Sequence, residues 1–122
     1  MDPRNYGKIT MLPLVIPNGT SVSNVMDLYE TALVGFVAPA AWTAAGLTIE
    51  ASPDGTVWSV LLFDQFASSV GYWAALVAGA GYSVDPVAMM PWRYIRLRSG
   101  TNAAPVAQGA NRTFVMLSRP LA

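Results

Sequence analysis

Seven carboxylates, Asp2, Asp27, Glu30, Glu50, Asp54, Asp64 and Asp85, are the first candidates for acid–base chemistry in this chain. Two acids brought together could hydrolyse a glycosidic bond, but no pair stands at a diagnostic local spacing. Asp54 lies in Ser52-Pro53-Asp54-Gly55, a turn that favours Asp for its own reasons, so calcium ligation is not needed to explain it. The chain has no His and no Cys. Without His it lacks the commonest general base and pH switch, and any His-activated Ser or Cys nucleophile is excluded. Without Cys it has neither disulfides nor thiolate metal sites. Gly79-Ala80-Gly81 lacks the further Gly, the Lys and the helix start of a phosphate loop, and reads as a turn. No catalytic residue, metal site or cofactor is assigned, and the chain is expected not to be an enzyme.

Trp42, Trp58, Trp73 and Trp92 are the remaining groups with binding potential. Exposed rings could stack on a sugar; buried rings would fill the core and interfaces instead. Asn18-Gly19-Thr20 and Asn111-Arg112-Thr113 match the glycosylation sequon, which matters only in a secreted protein. The start, Met1-Asp2-Pro3-Arg4, lacks the basic-then-apolar pattern of a signal peptide. The longest apolar stretch, residues 70–82, contains three Gly and is shorter than the ~20 residues of a spanning helix. A soluble protein with no membrane partner is expected.

Charge is scarce. Charged residues make up 11% of the 122 residues and hydrophobic ones 53%, against ~25% charged in ordinary soluble domains. A monomer that size needs a wetter surface, so part of the surface is expected to be covered by other chains. Net charge is zero, yet all seven acids fall in residues 1–85 and five Arg, with no acid, in residues 86–122. Interleaved strands could erase that segregation in space; alternatively, a basic edge could face an acidic edge of a neighbouring copy. One Lys and no basic run give little with which to neutralise phosphates, so nucleic acid is not an expected partner.

The elements that position these groups are short. Nineteen Pro and Gly cut the chain into brief apolar runs, the punctuation of a β-sandwich or barrel, and no long capped helical period appears. Residues 8–16 read as a strand whose Pro13 confines it to an edge or a bent arm. Asn18-Gly19 is a turn signal, followed by a partly alternating run at 20–28 and an apolar run at 32–37. Residues 47–52 alternate cleanly, with Leu47, Ile49 and Ala51 opposite Thr48, Glu50 and Ser52. After the turn, residues 56–63 return as a strand. Residues 93–99 and 112–119 are the last two strands. The Ala-rich stretch within 65–92 could be a helical turn, and is assigned a strand near 75–82. The fold expected is all-β: an antiparallel, jelly-roll-like β-sandwich of seven to eight strands, with residues 1–17 as an N-terminal arm or edge strand and 18–122 as the sandwich domain. The last strand is apolar on both faces, Val115 and Leu117 opposing Phe114 and Met116, where a free sandwich shows one polar face.

One ordered series of motifs goes further. It comprises Pro39-Ala40-Ala41-Trp42-Thr43-Ala44-Ala45, then Leu47-Thr48-Ile49-Glu50-Ala51-Ser52-Pro53-Asp54-Gly55-Thr56-Val57-Trp58. Later come Arg93-Tyr94-Ile95-Arg96-Leu97-Arg98-Ser99-Gly100-Thr101, Ala103-Ala104-Pro105-Val106-Ala107-Gln108 and Asn111-Arg112-Thr113. Over residues 18–119 the chain resembles a family of small β-sandwich virion proteins of tailed phages and prophages, while residues 65–92 depart from the family pattern. The resemblance implies a structural protein of the virion, made in the host bacterial cytoplasm and attached to the outer head surface as a capsid decoration or cement protein. A head-fibre or tail-associated position is the next reading. Its implied partners are the major capsid protein, or another virion protein, and copies of itself in a homo-oligomer, a trimer or a ring at a symmetry axis. The Ser52–Trp58 hairpin, taken with the strand at 93–97, also resembles discoidin-type carbohydrate-binding sandwiches, which leaves a glycan-binding module of a fibre as the alternative. The residues assigned to capsid or subunit contact are Met11, Leu12, Leu14, Trp73, Trp92, Arg96, Arg98, Phe114 and Met116.

Overall fold

The computed structural model describes residues 8–60, 62–63, 68–69 and 72–120. They form an antiparallel β-sandwich. The strands are β1 (Thr10–Ile16), β2 (Met26–Asp27), β3 (Thr31–Val37), β4 (Leu47–Ser52), β5 (Ser59–Val60), β6 (Leu62–Phe63), β7 (Ser68–Ser69), β8 (Tyr72–Trp73), β9 (Gly81–Ser83), β10 (Tyr94–Ser99) and β11 (Arg112–Pro120). One sheet has the order β1-β11-β3-β9; the other runs β2-β10-β4-β5, with β8 also on β4. β6 and β7 make a separate two-stranded ribbon. Among the described residues the only α-helix is α1 (Pro86–Met89), and no helix is long and apolar enough to cross a membrane.

The core lies between the two sheets. Leu14 and Ile16 of β1, Leu33 and Phe36 of β3, and Phe114 and Met116 of β11 meet Leu47, Ile49 and Ala51 of β4 and Ile95 and Leu97 of β10. Each is fully or almost fully buried, and burying a side chain of this kind is worth about 1.5–3 kcal/mol. The clean alternation of 47–52 becomes the central strand β4, whose second face is buried too.

Pro13 sits where an edge strand tolerates it. The N–H and C=O of Val15 bond Asn24 rather than β11, so odd-numbered residues of β1 turn their amides away from the sheet. Pro13 shares that parity, and its missing N–H removes no bond to β11.

Three expectations need correction. The run 20–28 becomes a strand only at β2, with an isolated bridge at Val22. There Ser23 accepts the Leu97 N–H on its hydroxyl and Asn24 accepts the Val15 N–H on its amide oxygen, so polar side chains take the place of a backbone ladder. The returning strand expected at 56–63 starts only at Ser59. The Asp54 carboxylate accepts the N–H groups of Thr56 and Val57 and holds the chain in the turn. The strand assigned to 75–82 is a loop followed by β9, with Gly79 at φ 75° donating to the Pro39 carbonyl. That left-handed conformation suits Gly and breaks an extended run.

The loop after β10 depends on Gly100, which has φ 80°. A Cβ there would collide with the Ala104 carbonyl oxygen and sit 3.0 Å from the Val106 amide nitrogen. Gly100→Ala is expected to cost about 1–3 kcal/mol, read as a lower urea midpoint with an unchanged slope.

Candidate functional site

The two outer faces of the sandwich differ sharply. On the β1-β11-β3-β9 sheet, the inward turn of Leu14, Phe114 and Phe36 forces their neighbours outward. Met11, Pro13 and Val15 of β1 therefore share a face with Val115 and Leu117 of β11 and Val37 of β3. The register sets Val115 between Pro13 and Val37, and Leu117 between Met11 and Gly35. A bulge then leaves Val34 unpaired opposite the step from Leu117 to Ser118. Beyond it, Ala32, Val34, Pro86, Val87, Met90 and Pro120, with Arg119, line a groove of about 260 Å³. α1 supplies one wall. Its start is fixed by Asp85, whose carboxylate accepts the Val87 N–H, and by Pro86 in the first turn. Among the described residues, Arg119 is the one charged side chain that lines the groove, and exposed Asp85 stands at the start of α1.

The outer face of the other sheet carries a charged cluster, flanked by exposed Val60 beside Glu50 and exposed Tyr72 beside Thr48. Glu50 of β4 is buried beneath Arg96 and Arg98 of β10. Arg98 donates to both carboxylate oxygens, at 3.0 and 3.2 Å, and Arg96 donates to one at 2.8 Å. The Trp58 ring lies 4.3 Å from the Arg96 guanidinium carbon, a cation–π distance. Burial alone would raise the Glu50 carboxyl; the hydrogen bonds and charges of Arg98 and Arg96 outweigh it and hold the group below its ordinary value. Nearby, Arg93 makes a two-pronged bond to Asp27 at 3.1 Å, which keeps Asp27 low, and its guanidinium lies against Tyr29 and Tyr94. Gln108 is buried where β10 and β11 leave the core; it donates to Ser99 Oγ and the Thr43 carbonyl and accepts from Thr43 N and Arg112.

The residues expected at contacts separate into three groups. Met11 and Leu12 are exposed on the edge strand. Leu14, Phe114 and Met116 are not surface residues: strand alternation turns them into the core, at 0–1% exposure, and their outward neighbours Val115 and Leu117 take their place on the face. Arg96 and Arg98 are committed to Glu50, and Trp73 and Trp92 are half-buried against the core. The segregated charges pair within the chain, because β10 lies between β4 and β2 and brings three of the late Arg onto Glu50 and Asp27. All four Trp rings are at least partly covered: Trp42 meets Phe114 edge-on and donates to the Ala45 carbonyl, and Trp73 meets Phe36 edge-on. Sequence reasoning missed Val37, Val87 and Met90. The Asp85-Pro86 pair, an N-cap followed by Pro at the first helical position, was the signal that could have marked α1.

No family model matches the chain, and no curated protein does. Its architecture is that of a two-sheet antiparallel β-sandwich. Among solved structures it is similar to the SPBc2 prophage-derived protein YomS, with a TM-score of 0.55 over 91% of this chain and 94% of that one, at 8% identity. At that identity the likeness is one of fold.

Proposed function

We propose that this chain is a non-enzymatic structural protein of a phage particle, a decoration or cement protein of the outer head surface. The observation that carries this reading is the outer face of the β1-β11-β3-β9 sheet, which presents a row of large apolar side chains. A surface of that kind is expensive to leave in water and gains about 25 cal/mol for each Å² it buries. The scarcity of charge across the whole chain supports the same reading, as do the motif series and the fold shared with a prophage-derived protein. Contact with the shell is assigned to Met11 and Leu12 on the edge strand and to the residues that precede it. Of the segment 1–17, expected to be an arm or edge strand, β1 lies at the edge of its sheet and residues 1–7 lie outside the described residues. Many copies on a symmetric shell would add avidity to a weak single contact. The glycan-binding reading finds no fully exposed Trp ring on which a sugar could stack.

Cryo-EM of particles from the encoding phage or prophage, with the gene intact and deleted, tests the proposal. Density on the outer head that disappears with the gene is the expected result. Its absence from purified particles would end the shell reading. Removing residues 1–9 leaves β1 whole, and is expected to lower occupancy at least about tenfold, the loss of roughly 1.4 kcal/mol at each contact. The thermal midpoint of the free domain should hardly change.

A further inference from the structure

The turn that closes β1 holds the one Asn-Gly pair of the chain, Asn18-Gly19. Residues 17–20 are all exposed. The Thr20 N–H and hydroxyl both donate to the Pro17 carbonyl, at 3.0 and 2.8 Å. Gly19 has φ 79° while Asn18 keeps an ordinary negative φ, the pattern of a type II turn with Gly at its third position. Gly19 is needed there for its conformation and not for space, since an added Cβ would meet nothing within 4 Å.

The surroundings leave the Asn18 side chain able to react. Its backbone N–H donates to Asn111 Oδ1 at 2.8 Å, but among the described residues nothing bonds its side-chain amide. The other Asn differ. Asn24 Oδ1 accepts the Val15 N–H and is followed by β-branched Val25, and Asn111 Oδ1 is taken by Asn18 itself. Asn102 precedes Ala103, whose side chain crowds the nitrogen that must attack. Asn5 lies outside the described residues.

We propose that Asn18 is a site of spontaneous covalent modification, where the chain cyclises on itself and releases ammonia. The Gly19 nitrogen gives up its proton and bonds to Asn18 Cγ; the C–NH2 bond breaks, and ammonia leaves with that proton. Water then opens the five-membered imide. Attack at Cγ leaves an aspartate at position 18, and attack at the main-chain carbonyl leaves an isoaspartate, whose backbone runs through the β carbon. The reaction needs only water, and it quickens as pH rises because the attacking nitrogen must be deprotonated.

The fold sets both the rate and the consequence. The Gln108 carbonyl holds the Gly19 N–H at 2.8 Å, so this nitrogen is available only when the turn opens locally. The Gln108 N–H donates in return to the Thr20 carbonyl at 3.0 Å, and the two bonds tie the turn to the chain that enters β11. Isoaspartate adds one atom to the main chain inside this turn, and the bonds cannot all close around it. β1 then loses its anchor next to its last pair with β11, Ile16 and Arg112. The inference is independent of the shell reading.

Peptide mapping by mass spectrometry, on the full chain aged in warm, mildly alkaline buffer, is the test. A gain of one mass unit, with methyl label from isoaspartyl methyltransferase, is expected at Asn18 before any other Asn. Asn111→Ala frees the Asn18 N–H and should speed the reaction about fivefold, the net worth of one hydrogen bond. Asn18→Gln should all but stop it, because a six-membered ring closes far more slowly. Amide exchange at Ile16 should rise in aged wild type, while the Asn18→Gln chain aged beside it keeps its protection. Circular dichroism verifies that each variant is folded. Faster reaction at another Asn, an unchanged rate at Asn18 in the Asn111→Ala chain, or isoaspartate without faster exchange at Ile16 overturns the proposal.

Discussion

Glu50→Leu lowers the unfolding free energy by about 3–5 kcal/mol, the expected cost of deleting one partner from a buried ion pair. The carboxylate is the shared acceptor of two arginines: Arg98 grips both of its oxygens and Arg96 one of them. Side-chain exposure is only 6% for Glu50, 12% for Arg98 and 24% for Arg96. Without Glu50, adjacent strand positions hold two partly desolvated cations with no counter-charge, so the variant suffers desolvation and mutual repulsion together. Replacing all three with apolar residues removes both problems, and much of the lost stability should return. Urea unfolding of the single and triple variants measures the difference. A single variant within about 1 kcal/mol of wild type would show that water reaches the cluster freely enough to screen it.

The same cluster sets an acid limit. The folded-state pKa of Glu50 lies below its ordinary value of 4.5, so its stabilisation is fully present above pH 4.5 and is lost as pH falls through the lowered value. Asp27, held below its ordinary 3.8 chiefly by its hydrogen bond from Arg93, contributes in the same direction but from an exposed position. The wild type should therefore lose stability progressively below about pH 4.5. Glu50→Gln should start lower at neutral pH and show a shallower acid slope, because the group that takes up the proton on unfolding in acid is gone.

What could be read from the sequence, and what could not, divides along one physical line. β4, β10 and β11 were visible because their alternation is local and every second residue meets the core. Pro13 marked β1 as an edge strand because a missing N–H has one consequence in a sheet. The breaks in 20–28 and 56–63 were not visible, because they depend on where the Ser23 hydroxyl, the Asn24 amide and the Asp54 carboxylate find backbone partners. Ser23 bonds Leu97, 74 residues away, a pairing that no local pattern encodes. The segregated charges are a further case: only the strand order places β10 between β4 and β2, and that order turns a lopsided sequence into a set of ion pairs. The interaction face was half legible. The opposition of Val115 and Leu117 to Phe114 and Met116 showed that one side of β11 needed cover, but not which side was already covered by the second sheet. Val87 and Met90 lie in the stretch with no readable period, and join the face only because α1 packs beside the β3 bulge.

Phe36→Ala is expected to cost about 3–5 kcal/mol, the range for deleting a buried ring whose surroundings collapse only in part. The ring is fully buried, with Trp73 5.0 Å away edge-on, Tyr82 stacked at 5.1 Å and Phe114 at 6.0 Å. These neighbours come from β8, β9 and β11, so one side chain joins the last strand to two of the shortest strands in the molecule. β9 has only three residues, and its pairing with β3 relies on that packing. Tyr82 also accepts the Val77 N–H on its hydroxyl oxygen, which ties the 74–80 loop to the same cluster. Loss of the ring should therefore be felt unevenly. Amide exchange should accelerate most at Tyr82 and Val77, while β4 and β10 keep protection up to the reduced global stability. Val37→Ala, one residue along β3 but pointing outward, is expected to cost less than about 1 kcal/mol. Equal losses for the two variants would mean that the outward face is as tightly packed as the core in the isolated chain. In that case the outward face would already be covered within the single chain.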